Sequence, residues 1–160
     1  MDSLTLPAYS FRRRSIDGKP HIYDEIRQQY VRLTPEEWVR QHLLRFLIEE
    51  RGVPRPLISV EMAFTYSGMR RRADAVVHNS AADPLLLVEC KAPSVKISQD
   101  TFDQIARYNR EIGARFLAAS NGRVHYCCRF NDETGAFQFL QEIPSFEELK
   151  QAGSIRTSRS

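Results

Sequence analysis

The chain has 160 residues, of which 42% are hydrophobic and 27% charged, and its 23 Lys+Arg against 20 Asp+Glu leave a formal charge of +3. That composition excludes intrinsic disorder as the general state, and no apolar run reaches the roughly 20 residues of a membrane helix. Three cysteines (Cys90, Cys127, Cys128) with no CxxC pair exclude a disulfide scaffold and a zinc ribbon, and residues 1–14 hold no apolar signal segment, so reduced thiols in a cytoplasm are expected.

Residues 1–32 carry Pro7, Gly18, Pro20 and the run Arg12-Arg13-Arg14 without a sustained period. They read as an irregular N-terminal arm, with a short strand near His21 to Tyr23 the most that the pattern supports. The arginine run reads as solvated surface unless it lies beside a catalytic site. Thr34-Pro35-Glu36-Glu37 then predicts a helix start, with Thr34 as cap, Pro35 in the first turn and Glu37 closing a capping box. Val39, Leu43, Phe46 and Leu47 follow at helical spacing, and Gly52 and Pro54 stop the helix.

Ile58 to Tyr66 alternates with a period of two, predicting a strand, and after the turn at Ser67-Gly68 a second strand covers Arg72 to His78. Leu85-Leu86-Leu87-Val88 is a continuous apolar run, the mark of a strand buried on both faces, and it ends in Glu89-Cys90-Lys91-Ala92-Pro93. Ser98 is a cap for a helix from Gln99 to Ile112 that Gly113 closes. Arg115 to Ser120 and Arg123 to Phe130 read as strands joined by a two-residue Asn121-Gly122 hairpin, and Phe137 to Leu140 as a short further strand. Ser145-Phe146-Glu147-Glu148 opens a last helix, and residues 153–160 read as a flexible polar tail. The expected fold class is α/β, a mixed β-sheet flanked by helices, with one domain over residues 33–152. The link lengths make the first three strands an antiparallel meander and the central helix a crossover.

Chemistry enters where charge interrupts these strands. Glu89 and Lys91 leave a core strand on one face, with Cys90 on the other, and Asp74 stands among Ala73, Ala75, Val76 and Val77 in its neighbour. Aspartate is disfavoured there by both propensity and burial. Two readings are open: a structural Asp–Lys or Glu–Lys pair, or two carboxylates offering hard oxygen ligands to Mg²⁺ with a lysine beside the attacking water, the parts that phosphodiester hydrolysis needs. Arg70-Arg71-Arg72, just before Asp74, is a basic cluster able to meet phosphates, set against a solvated turn. His78, His42 and Trp38 read as structural. Nothing in the sequence matches a Ser/His/Asp arrangement, GxGxxG or GxxxxGK[ST], which sets aside triad hydrolases, dinucleotide binding and NTP hydrolysis.

Asp74, fourteen intervening residues and Glu89-Cys90-Lys91 resemble the Asp…(Asp/Glu)-x-Lys signature of the PD-(D/E)xK nuclease superfamily, with Ala73 where a proline often stands. Gln104-Ile105-Ala106-Arg107-Tyr108 is similar to the Gln-x-x-x-Tyr motif of its RecB-like branch, and i, i+4 spacing puts Gln104 and Tyr108 on one helical face. More closely, Pro35 to Gln41, Leu86 to Pro93 and Asp103 to Asn109 resemble the N-terminal nuclease domain of type I restriction enzyme R subunits (HsdR), over roughly Thr34 to Pro144. The resemblance implies a restriction-endonuclease-like core and a Mg²⁺-dependent endonuclease acting on DNA, with Mn²⁺ substituting. By position, Asp74 and Glu89 would hold the metal together with the Cys90 carbonyl, Lys91 would be the catalytic lysine, and Gln104 and Tyr108 would support the catalytic set. Glu37 would be the first-helix glutamate near the metal, with Glu36 as its substitute if the capping box occupies Glu37. The implied partners are DNA and a separate motor or specificity subunit, with no membrane; a homodimer would supply the two sites that cutting both strands requires. The alternatives are a non-catalytic DNA-binding or assembly module that keeps the fold, and a nuclease turned to RNA.

Overall fold

A computed structural model of the chain describes residue 1 and residues 3–155. Its first departure from the sequence reading is at the N-terminus. Residues 13–32 are a three-stranded antiparallel sheet of β1 (Arg13–Ile16), β2 (Lys19–Asp24) and β3 (Gln29–Arg32), where an irregular arm was expected. The β1–β2 turn is Asp17-Gly18, with φ of 52° and 74°, and Ile16 pairs with Lys19 across it. Asp-Gly suits that two-residue turn because both positions need positive φ. Asp24 shapes the next connection: its carboxylate accepts the backbone N–H groups of Ile26 (2.8 Å) and Arg27 (3.0 Å). Strands of four to six residues are too short to show a period, which is why composition alone reads them as irregular.

Helix α1 (Pro35–Arg51) begins as predicted, with Thr34 Oγ1 accepting the Glu37 N–H at 3.0 Å, and ends at left-handed Gly52. The second sheet has six strands in sequence order: β4 (Ile58–Tyr66), β5 (Met69–His78), β6 (Pro84–Cys90), β7 (Phe116–Ser120), β8 (His125–Asn131) and β9 (Ala136–Leu140). All neighbours are antiparallel except β6 and β7, which run parallel because α2 (Gln99–Ile112) crosses over between them. The expected mixed sheet flanked by helices is therefore present, and α3 (Phe146–Ala152) follows with the Ser145–Glu148 capping box.

The central strands β6 and β7 are buried on both faces. Val39, Leu43 and Leu47 of α1 pack on Val77, Leu86 and Val88, while Phe102, Ile105 and Ile112 of α2 pack on Val76, Leu87 and Leu117. This two-sided burial is the physical reason for the unbroken Leu85–Val88 run. Cys127 joins the first cluster and Cys128 the second, and all three cysteines are free and buried. β5 starts at Met69 rather than Arg72, because Ser67-Gly68, both left-handed, close a tight turn that pairs Tyr66 with Met69. The β7–β8 link is longer than the predicted two residues: Asn121 Oδ1 accepts the Arg123 and Val124 N–H groups, so the ladder opens at Ser120–His125. The expected tail is ordered where it begins, since Ser154 and Ile155 are buried and the Ile155 N–H reaches the Gly113 carbonyl at 3.1 Å; its remainder, residues 156–160, lies outside the described residues. Among the described residues no helix is long and apolar enough to cross a membrane.

Candidate active site

The β5–β6 register, Ala75 opposite Val88 and Val76 opposite Leu87, continues to set Asp74 beside Glu89 where β6 leaves the core. Leu87 packs on the α2 side and Cys90 on the α1 side, so alternation sends Glu89 and Lys91 out beneath α2. Lys91 Nζ lies 3.6 Å from Glu89 Oε1, and the Cys90 N–H donates to Asp74 Oδ2 at 2.7 Å. Asp74, Glu89, Cys90 and Lys91 are thus brought together as their sequence pattern requires.

Both acids are lifted above the usual carboxylate range. Burial lifts the Asp74 carboxyl to about 6, against the pull of the Cys90 N–H and the Arg40 guanidinium. Burial and then the charge of Asp74 lift Glu89 to about 8, against the pull of Lys91. Glu36, exposed in the first turn of α1, raises both. Burial also pushes the Cys90 thiol well up, so it is no nucleophile. A carboxyl raised by folding stabilises the fold below its unfolded value near 4.5, and that contribution is lost as pH rises through about 8. In EDTA the protein is therefore expected to lose stability from about pH 5 to pH 8. Glu89→Gln should flatten that decline and exceed wild type at pH 8 by on the order of 1–3 kcal/mol. Urea unfolding at both pH values checks this, and parallel losses in the two proteins would sink it.

Glu37 departs from its expected place. Its cap contribution is the backbone N–H alone; the carboxylate turns inward, with Oε1 accepting from Arg40 Nη2 (2.7 Å) and Arg27 Nη2 (2.9 Å), and Oε2 from Arg40 Nε (3.0 Å) and Gln41 Nε2 (3.0 Å). Both oxygens are committed, leaving Glu36 as the α1 acid whose field reaches Asp74 and Glu89. Arg40 continues from Glu37 to Glu61 Oε1 at 2.6 Å and to Asp74 Oδ1 at 3.4 Å. Glu61 stands opposite Asp74 with φ of 58°, between the pairs Val60–Ala75 and Met62–Ala73. Sequence reasoning missed Asp24, Arg27, Arg40 and Glu61. The signal available was Glu37, Arg40 and Gln41 at i, i+3 and i+4, a polar stripe in line with Leu44 at i+7 and buried like it.

An open cleft of about 590 Å³ joins Glu89 and Lys91 to Gln104, Tyr108 and the three arginines Arg70, Arg71 and Arg72. Gln104 Nε2 donates to Tyr108 Oη at 2.9 Å, and the Tyr108 ring meets Phe64 and Tyr66 of β4 edge-on. A larger cleft of about 830 Å³ between α2 and the β8–β9 hairpin contains none of these residues. His78 ends β5 beside Pro84, away from the acids, and His42 packs against Trp38 and Phe11, as structural residues do. Among the described residues no three His, Cys, Asp or Glu side chains converge as a preformed metal-ligand group.

The family described as the type I restriction enzyme R protein N terminus (HSDR_N) matches residues 35–144. A solved fragment assigned as the HsdR subunit of a type I restriction enzyme from Vibrio vulnificus is similar in fold, with a TM-score of 0.55 and 23% identity. The match covers 74% of this chain and 25% of that one, so this chain spans about a quarter of the fragment's length. None of the curated proteins matches the chain.

Proposed function

This chain belongs to the family of the type I restriction enzyme R protein N terminus, and on that premise we propose that it is a Mg²⁺-dependent deoxyribonuclease domain of the PD-(D/E)xK type. One observation carries the reading: a buried aspartate, Asp74, stands beside a half-buried glutamate, Glu89, on the adjacent strand and raises it, and Glu89 lies with a lysine 3.6 Å away on the wall of an open, arginine-lined cleft.

The donor set fits the ion. Mg²⁺ takes one or two carboxylates and keeps several waters, so it does not require three convergent protein ligands. Asp74 and Glu89 would hold it with the Cys90 carbonyl, and Glu36, in place of Glu37, would supply the acid from the first helix. When bound, the ion polarises the phosphate and lowers the pKa of water. The chain's own residues do the rest. Lys91 orients the attacking water and offsets charge that develops on the phosphate. Gln104 and Tyr108, tied to each other, wall the cleft, and Arg70 to Arg72 hold the flanking phosphates. Site recognition and ATP-driven translocation would fall to a specificity subunit and a motor outside this chain, and the compartment would be the cytoplasm.

The direct test is incubation of supercoiled and linear DNA with the full chain in Mg²⁺, in Mn²⁺ and in EDTA, with RNA of matched length alongside. Cleavage of DNA in either metal, none in EDTA and none of RNA is the expected result. Binding without cleavage under every condition would overturn the enzymatic reading in favour of a DNA-binding module that keeps the fold.

A further inference from the structure

The three-stranded sheet presents a face that the proposed chemistry does not use. Ile22 and Asp24 are fully buried, so alternation sends Arg14, His21 and Arg32, neighbours across the strands, to the opposite side. Tyr23 and Tyr30 form the adjoining row, and Arg12 and Lys19 flank it. Arg12, Arg14, Lys19 and Arg32 are all exposed, and among the described residues none is ion-paired with a carboxylate. No acid shares this face of the strands; Asp17 lies in the turn beyond them. Four free cations are thus concentrated on one small surface of a chain whose whole formal charge is +3.

The tyrosines determine what this face recognises. The Arg12 guanidinium sits 3.9 Å from the centroid of Tyr23 and that of Arg14 4.2 Å from Tyr30, while the two rings meet edge to face at 5.2 Å. Cation–π contact holds the two guanidinium forks in place ahead of a ligand. It also covers the ring faces on which unpaired bases would stack, so the surface is built for phosphate oxygens rather than bases. From Arg14 to Arg32 is two inter-strand steps, about 10 Å. Duplex DNA presents roughly six phosphate charges over that length of axis.

The sheet is fixed to the end of α1 that borders the candidate site. Arg13, on the inner side of β1, stacks over Trp38, two residues beyond Glu36, and Asp24 bonds Gln41. We propose that the outer face of β1–β3 is a second phosphate-binding surface, which grips the backbone of duplex DNA beside the bond presented to Asp74 and Glu89. This rests on the DNA reading above, and it is tested without catalysis.

The full chain is titrated with a short labelled duplex of arbitrary sequence in EDTA, between about 50 and 200 mM salt. Arg12→Gln/Arg14→Gln/Arg32→Gln is compared with wild type and with the corresponding triple lysine variant, each checked for folding by circular dichroism. The glutamine variant is expected to bind at least about 10-fold more weakly at low salt. Its slope of log affinity against log salt should shrink by about 0.9 for each phosphate that it no longer neutralises, roughly 2 to 3 in all, while the lysine variant keeps the wild-type slope. An unchanged affinity and slope in the glutamine variant overturns the proposal, as does single-stranded DNA or RNA outcompeting the duplex. If no DNA is ever cut but the slopes differ as stated, the nuclease reading fails and this surface stands. If wild type cuts in Mg²⁺ but shows no salt-dependent loss on the glutamine substitutions, the reverse holds.

Discussion

Asp74→Ala is expected to reduce DNA cleavage to background, and Lys91→Ala to slow it by a factor of roughly 10²–10³, with both proteins folded. The two losses differ in origin. Asp74 is held by the Cys90 N–H and by Arg40, so its carboxylate oxygens are fixed between β5, β6 and α1. Removing it takes away a proposed metal ligand and orphans a buried N–H, at about 1–3 kcal/mol. It also removes one of two carboxyls that burial opposes ionising, which offsets part of that cost. Lys91 is less embedded and, among the described residues, its ammonium pairs with Glu89 alone. Its loss leaves the carboxylates in place while removing the group that would steady the nucleophile. Mn²⁺ binding by calorimetry should therefore survive in Lys91→Ala and fail in Asp74→Ala, while cleavage suffers in both. Cleavage by both variants at the wild-type rate would place the activity elsewhere or in a contaminant.

What made this site legible was misfit. An aspartate within a strand of alanines and valines, and a Glu-x-Lys closing a run of leucines, both contradict the local rules for buried strands, and the β5–β6 register puts them together. Periodicity also served the long elements well, because α1, α2 and the six-stranded sheet bury whole faces that repeat with their own geometry. It failed for β1–β3, whose strands are shorter than the window in which a period shows, although Asp17-Gly18 was a usable turn signal. Glu37 illustrates a different limit. Thr34-x-x-Glu37 satisfies the capping pattern, yet two arginines outcompete the backbone for the carboxylate, and one of them, Arg27, comes from a connection that the sequence pattern did not resolve. Long-range ion pairing leaves no periodic trace, so neither Arg27 nor Glu61 could be joined to Glu37 and Arg40 before the fold was known.

That ion network is where the largest loss of stability is expected. Arg40 is buried, and its guanidinium makes a fork with both oxygens of Glu37 while also reaching Glu61 and Asp74. Burial alone would favour discharging it, but the surrounding carboxylates hold it charged. Burial works to raise the Glu37 carboxyl, but Arg40, then Gln41 and Arg27, hold it below its ordinary value. Arg40→Met, similar in volume, would leave Glu37 to Arg27 and Gln41 and Glu61 to the exposed Arg72 at 3.9 Å, but strip Asp74 of the Arg40 guanidinium, at a cost of about 3–5 kcal/mol. Glu61 adds to the loss, because its left-handed backbone is a strained conformation of about 1–3 kcal/mol that the Arg40 ion pair offsets. Urea unfolding of Arg40→Met, Glu37→Gln and the double variant separates pairing from packing. With the guanidinium gone, the neutral amide should be tolerated better than the carboxylate, so the double variant should be less destabilised than the sum of the single ones by about 0.5–3 kcal/mol. Strict additivity, or a cost of Arg40→Met below about 1 kcal/mol, would show that α1 is held against β4 and β5 by its apolar face alone. Coupling of the stated sign would instead make Arg40 the tie between helix and strands that fixes Asp74, one wall of the candidate site, to the N-terminal sheet that carries the second basic surface.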